Sequence, residues 1–178
     1  MFQIEIEPEL RLELVHAGLA PHLAELVSAE RDVLSQWLAW PPHCRTEADF
    51  IQFIHRSLHD YADGKSMVCA IKFRGVAVGC ISFNRIDHQR KVATIGYWLG
   101  QKAQGHGIIT RCCRSLIDIA FTRLELEKVE IHVATQNQSS RAVCQRLGMR
   151  LEGEISRAEA LNGRVVDHAI YGLLRTAV

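Results

Sequence analysis

The chain has 178 residues, 48% hydrophobic and 23% charged, the make-up of a soluble domain large enough to fold without disulfide or metal. Lysine and arginine number 21 against 20 aspartates and glutamates, a formal charge of +1, so the basic excess of an extended nucleic-acid track is missing. No apolar run of about 18 residues offers a membrane span, and the Glu- and Arg-bearing start, Met1 to Leu14, lacks the order of a signal peptide. Residues 1–178 are therefore expected to form a single domain with no membrane partner. Cys44, Cys69, Cys80, Cys112, Cys113 and Cys144 contain no C-x-x-C pair. Most sit in apolar runs and are expected to be reduced thiols of a cytoplasmic protein.

In chain order, Leu10–Val15 alternates apolar and charged residues and predicts a half-buried strand. From Ala20 to Trp40, Leu23, Leu26, Val27, Val33, Leu34, Trp37 and Leu38 recur at helical spacing until Pro41-Pro42. Thr46, with Glu47 and Asp49 behind it, marks a helix start that Gly64 ends. Ser66–Phe73, Val76–Asn84 and Val92–Leu99 read as antiparallel strands, with Arg74-Gly75 as a tight turn. Gly107–Leu124 returns to helical periodicity. Lys128–Thr135 is a strand, Ser139–Leu147 a short helix closed by Gly148. Met149–Arg157 and Val165–Leu174 are last strands joined by a loop containing Asn162-Gly163. Seven strands and alternating helices predict a mixed α/β domain around one sheet.

The chemistry concentrates at Tyr97-Trp98-Leu99-Gly100-Gln101-Lys102-Ala103-Gln104-Gly105-His106-Gly107-Ile108-Ile109-Thr110. A strand runs into a glycine-bearing loop that opens onto a helix, whose unpaired N–H groups suit an anion. It is neither a P-loop nor a dinucleotide fingerprint, and two glycines there serve a tight connection equally well. His55 and His59 have metal-ligand spacing but no third ligand in view, so no metal is expected.

A second landmark, Asn137-Gln138-Ser139-Ser140 before a short helix and Gly148-Met149, completes an ordered pattern. In it the chain resembles the GNAT superfamily of acetyl-CoA-dependent N-acetyltransferases. Gln104-x-x-Gly107 matches the start of that family's pyrophosphate loop, although Ile109 replaces a small residue. The resemblance is closest to the RimL branch, which modifies an N-terminal serine of the ribosomal stalk protein. Trp37-Leu38-x-Trp40-Pro41, Ile95-Gly96-Tyr97-Trp98-Leu99, Gln104-Gly105-x-Gly107-Ile108, Asn137-Gln138-x-Ser140 and Ala158-Glu159-x-Leu161-Asn162-Gly163 carry it over nearly the whole chain.

The resemblance implies a GNAT fold with a seven-stranded sheet whose central parallel strands, Ile95–Leu99 and Val129–Thr135, splay apart over acetyl-CoA. The pyrophosphate would sit on the backbone of Gln104, Gly105, His106, Gly107, Ile108, Ile109 and Thr110. The pantetheine would pair near Tyr97, Trp98 and Leu99, with Asn137 close by. Glu159 matches the branch's proposed base and Ser140 its proposed acid, while Trp37 and Trp40 border the acceptor cleft. Ser140 equally suits a helix cap, and Glu159 a solvated loop carboxylate. Cys144 stands where many members carry a tyrosine acid. The implied function is N-acetylation of a protein N-terminus, most naturally a ribosomal protein, by a homodimer. The alternatives are acetylation of a small amine, such as a polyamine or an aminoglycoside-like compound, and a CoA-binding regulatory module without turnover.

Overall fold

A computed structural model of the chain describes residues 2–175. Its eight strands form one mixed sheet. They are β1 (Gln3–Glu7), β2 (Leu10–Leu14), β3 (Met67–Phe73), β4 (Val76–Asp87), β5 (Val92–Leu99), β6 (Lys128–Ala134), β7 (Arg150–Leu161) and β8 (Arg164–Leu174). The spatial order is β1-β2-β3-β4-β5-β6-β8-β7. Helices α1 (Ala20–Leu34) and α2 (Glu47–Ala62) cover one face. Helices α3 (Ile108–Thr122) and α4 (Gln138–Arg146) cover the other.

Each face is buried by the strand period of two. Cys69, Ile71, Ile81, Ile95 and Val129 pack toward α3 and α4, whereas Ala70, Cys80 and half-buried Val68 and Trp98 pack toward α1 and α2. Thr46 and Asp49 form a reciprocal capping box at the start of α2. At the β3–β4 hairpin, Arg74 and Gly75 both take positive φ, 51° and 82°, the backbone that a two-residue turn between twisted strands requires.

Three expectations are corrected. The sheet has eight strands, because Gln3-Ile-Glu-Ile-Glu7 pairs with β2 and packs Ile4 and Ile6 against the core; five residues at a sheet edge leave a weak signal. The first long helix stops at Leu34 rather than Trp40. The Nδ2 of Asn162 donates to the Ser35 and Leu38 carbonyls at 2.7 and 2.9 Å, and the Arg31 guanidinium donates to the Pro41 and Cys44 carbonyls. These distant groups fold residues 35–46 back as a loop. Lastly, β7 and β8 reach to a turn at Asn162 and Gly163, both at positive φ (47° and 88°), so Glu159 lies within a strand and not in a loop.

Strands β5 and β6 are parallel and pair only at Val92–Thr94 with Lys128–Glu130. Beyond these, Ile95–Leu99 stays with β4 and Ile131–Ala134 stays with β8, and a slot opens through the sheet. The bend coincides with a bulge in β4, where Phe83 faces Ile95 and Arg85 faces Thr94, leaving Asn84 as the extra residue. A bulge increases local twist, and this one lies where β5 leaves β6. The Asn84 side chain lies over Gly96, so close that a Cβ there would collide with it.

Candidate active site

On the α3/α4 face, β5 leads into the loop at Gln104–Gly107. The Gln104 side-chain amide donates to the Leu99 carbonyl at 3.2 Å. His106 Nδ1 lies 2.9 Å from the Gln104 carbonyl oxygen. Arg111 donates to the His106 carbonyl at 2.9 Å and to the Glu7 carboxylate, tying the loop to β1. Arg111 therefore shapes the loop rather than standing free as a phosphate ligand. Gly107 caps α3 in the left-handed region (φ 67°), and Gly105 is left-handed too (φ 81°). Beyond its chain neighbours and the helix's own backbone, a Cβ on either would meet no protein atom within 4 Å, so both glycines face open space at the start of α3. Unpaired helix-start N–H groups beside open space suit an anion. Ile108 and Thr110 are buried, and Ile109, in place of a small residue, packs half-buried against the core. Its bulk points inward and leaves the cradle open.

Across the slot, Asn137 caps α4: its Oδ1 accepts from the Ser140 N–H at 3.1 Å. The cap is Asn137, so Ser140 is released from that role. The Ser140 hydroxyl instead lies 2.7 Å from the Tyr97 hydroxyl on β5. Cys144, one turn further along α4, is fully buried, and burial pushes its thiol up to about 12. Burial likewise pushes the Tyr97 phenol well above its ordinary value.

The α1/α2 face of the sheet carries Glu159, on β7. Its carboxylate lies 3.0 Å from His168 Nε2, with side-chain exposures of 35% and 18%. His168 is opposite Ala134, which puts the pair at the open end of β6. Lower on the same face of β6, Glu130 is engaged by Lys128 at 2.8 Å and His132 at 3.0 Å. Trp40 packs on Trp98 and Phe50, with ring centroids 5.8 and 6.3 Å away. Trp37 lies instead under the Arg164 guanidinium, 5.2 Å from it, at the β7–β8 turn. The two tryptophans thus belong to separate parts of one wall. Among the described residues, no group of three or more His, Cys, Asp or Glu is placed to hold a metal.

Residues 9–150 match the acetyltransferase (GNAT) domain. The chain belongs to the GNAT family. It is 32% identical over 168 residues to the ribosomal-protein-serine acetyltransferase of Escherichia coli (strain K12), covering 94% of each chain. RimL, a ribosomal L7/L12 α-N-protein acetyltransferase solved with coenzyme A, superposes with a TM-score of 0.94 at 28% identity, covering 97% of this chain and 98% of that one. MccE, a microcin C7 self-immunity acetyltransferase solved with acetyl-CoA and AMP, gives 0.93 at 32% identity over 97% and 96%. This GNAT protein is an acetyl-CoA-dependent N-acetyltransferase.

The structure brings Tyr97, Ser140 and Asn137 together at the slot on the α3/α4 face and sets Glu159 on the opposite face of the sheet, on β7, with β8 between it and β6. Four features escaped the sequence reading: the Asn84 bulge, the Tyr97 hydroxyl, His168 and the amide of Asn162. Of these only Tyr97 left a signal, since its period with Ile95 and Leu99 aims it at the α3/α4 face.

Proposed function

We propose that the protein acetylates the N-terminal amine of a ribosomal protein by direct acyl transfer. The observation that carries the reading is the slot itself, bridged by the Tyr97–Ser140 hydroxyl pair on the α3/α4 face, with the Glu159 carboxylate on the opposite face of the sheet. The 32% identity to a ribosomal-protein-serine acetyltransferase over 94% of both chains supports the acceptor.

Acetyl-CoA supplies the activated acyl group. The backbone N–H groups of Gly105–Thr110 hold its pyrophosphate, the Gln104 N–H being taken by the Gln101 carbonyl, and the free β5 edge at Tyr97–Leu99 offers amide partners for an extended chain. Asn137 sits at the turn after β6, beside that edge. An α-amino group titrates at about 7.7–8.0, so a base has modest work to do, and Glu159 takes the amine proton as the bond forms. Ser140 donates to the departing sulfur. Trp37 and Trp40 wall the acceptor end. The whole chain, 1–178, acts as one catalytic domain.

The free thiols of all six cysteines support a cytoplasmic location. The open edge strand β7, with Leu151 and Ile155 exposed, supports a homodimer in which a second copy covers it.

The test incubates purified ribosomal proteins with acetyl-CoA and this protein and reads N-terminal acetylation by mass spectrometry. One ribosomal protein should be modified. Glu159→Gln should lower kcat by roughly 10²–10⁴, the range of a positioned base, and flatten the acidic limb of the pH–rate profile without weakening CoA binding. CoA release with a polyamine alone would replace the ribosomal acceptor by a small amine. Full activity of Glu159→Gln across pH would remove it from the mechanism.

A further inference from the structure

Tyr97 lies on the part of β5 that has left β6, and Ser140 on the first turn of α4, which follows β6. Their 2.7 Å contact therefore joins the two walls of the slot. One hydroxyl must donate and the other accept. With Tyr97 as donor and Ser140 as acceptor, the Ser140 O–H stays free to turn into the slot; the reverse would spend it on the phenol. Asn137 satisfies the Ser140 backbone N–H, so the Ser140 hydroxyl is not held as the helix cap. Cys144 is fully buried on the inner side of α4 and offers no competing donor.

We propose that Tyr97 is a positioning residue: its phenol fixes Ser140 so that the Ser140 O–H points at the sulfur that departs in acetyl transfer. This rests on the acetyltransferase reading above and on Ser140 standing beside the thioester. In the step, the amine nitrogen bonds to the acyl carbon, the C–S bond breaks and its electron pair goes to sulfur. The amine proton leaves through Glu159. The sulfur is stabilised by the Ser140 hydrogen bond and takes its proton from water as CoA departs. Tyr97 keeps its own proton throughout, because a thiol near 8.5 is a much stronger acid than a phenol raised by burial. It is a hydrogen-bond donor and not a proton source.

The experiment measures CoA release with acetyl-CoA and a serine-starting peptide for the unaltered protein, Tyr97→Phe, Ser140→Ala, Ser140→Thr and the Tyr97→Phe/Ser140→Ala double variant. Tyr97→Phe keeps the ring and its packing. It should lower kcat by roughly 5- to 30-fold, the scale of one oriented hydrogen bond, with CoA affinity by calorimetry unchanged. The double variant should fall no further than Ser140→Ala, since one hydroxyl acts through the other. Ser140→Thr, which keeps a hydroxyl, should recover part of the loss in a Tyr97-dependent way. Full kcat in Tyr97→Phe, or multiplying losses in the double variant, would overturn the inference while leaving acetyl transfer standing. An unaltered protein that releases no CoA with any amine fails at an earlier point, and then the proposed function falls together with this role.

Discussion

The two sides of the proposed site are built by different means. The side proposed to hold the cofactor is made of backbone: a loop of consecutive residues with two left-handed glycines, set on the first turn of one helix. The side proposed to take the acceptor is made of side chains that meet from far apart in the chain. Asn162 at the β7–β8 turn grips the Ser35 and Leu38 carbonyls, Arg164 covers Trp37, and Glu159 faces His168 on the next strand. A wall of local backbone can serve the same ligand with many sequences. A wall of long-range side-chain pairs can be re-cut for a new acceptor without disturbing cofactor binding, which fits a family that spans ribosomal proteins and microcin immunity.

The sharpest way to break the comparison is to put a side chain on the backbone wall. Any L-residue at Gly107 meets the left-handed backbone, φ 67°, which asparagine tolerates better than valine or alanine. Gly107→Asn should therefore fold, with a thermal midpoint close to that of the unaltered protein, yet place atoms in the open space beside it. CoA affinity by calorimetry should fall by roughly tenfold or more, equivalent to at least about 1.4 kcal/mol. Acceptor KM, measured at saturating acetyl-CoA, should stay where it was. An unchanged CoA affinity would move the pyrophosphate off this loop.

On the other wall, Asn162→Asp keeps a residue that accepts positive φ but loses both donors to the loop after α1. At about 0.5–1.5 kcal/mol per hydrogen bond, the grip weakens without unfolding the sheet. Acceptor KM should rise several-fold with CoA affinity unchanged, the mirror image of the glycine variant. If acceptor KM and CoA affinity changed together, the two sides of the proposed site would not be separable.

This difference also decides what could be read before the fold was known. The strands β3 to β6, α3, α4 and the glycine-bearing loop before α3 follow from local periodicity, glycine placement and helix starts, so their boundaries are met within a few residues. The roles proposed for Trp37, Trp40 and Glu159 came only from resemblance. Nothing in the apolar spacing of Trp37 and Leu38 says that Asn162, over a hundred residues later, ends their helix. Asn137 and Ser140 illustrate the same point at short range. Both suit a cap by type, and only the fold shows that Asn137 takes it and leaves Ser140 to Tyr97.

The smallest effect belongs to the carboxylate on the acceptor face that the proposed chemistry does not use. Burial raises Glu130, but hydrogen bonds from Lys128 and His132 outweigh it and hold the carboxyl below its ordinary value. A carboxyl lowered on folding stabilises the folded chain above its unfolded pKa, about 4.3, and that contribution disappears as pH falls through the folded value. Glu130→Gln should thus cost stability at neutral pH and little at strongly acidic pH, with the gap between the two proteins closing below about pH 4.3. The Glu130 side chain is mostly buried, but Gln keeps its shape and Lys128 keeps Glu152 as a second partner, so the neutral-pH loss should be about 1 kcal/mol. Urea unfolding of both proteins at several pH values reads the gap directly. Turnover should be unaltered at neutral pH, in contrast to Glu159→Gln on β7. A large loss of kcat in Glu130→Gln would mean that the acceptor amine is handled by β6, and that the two carboxylate–histidine pairs on this face had been assigned the wrong way round.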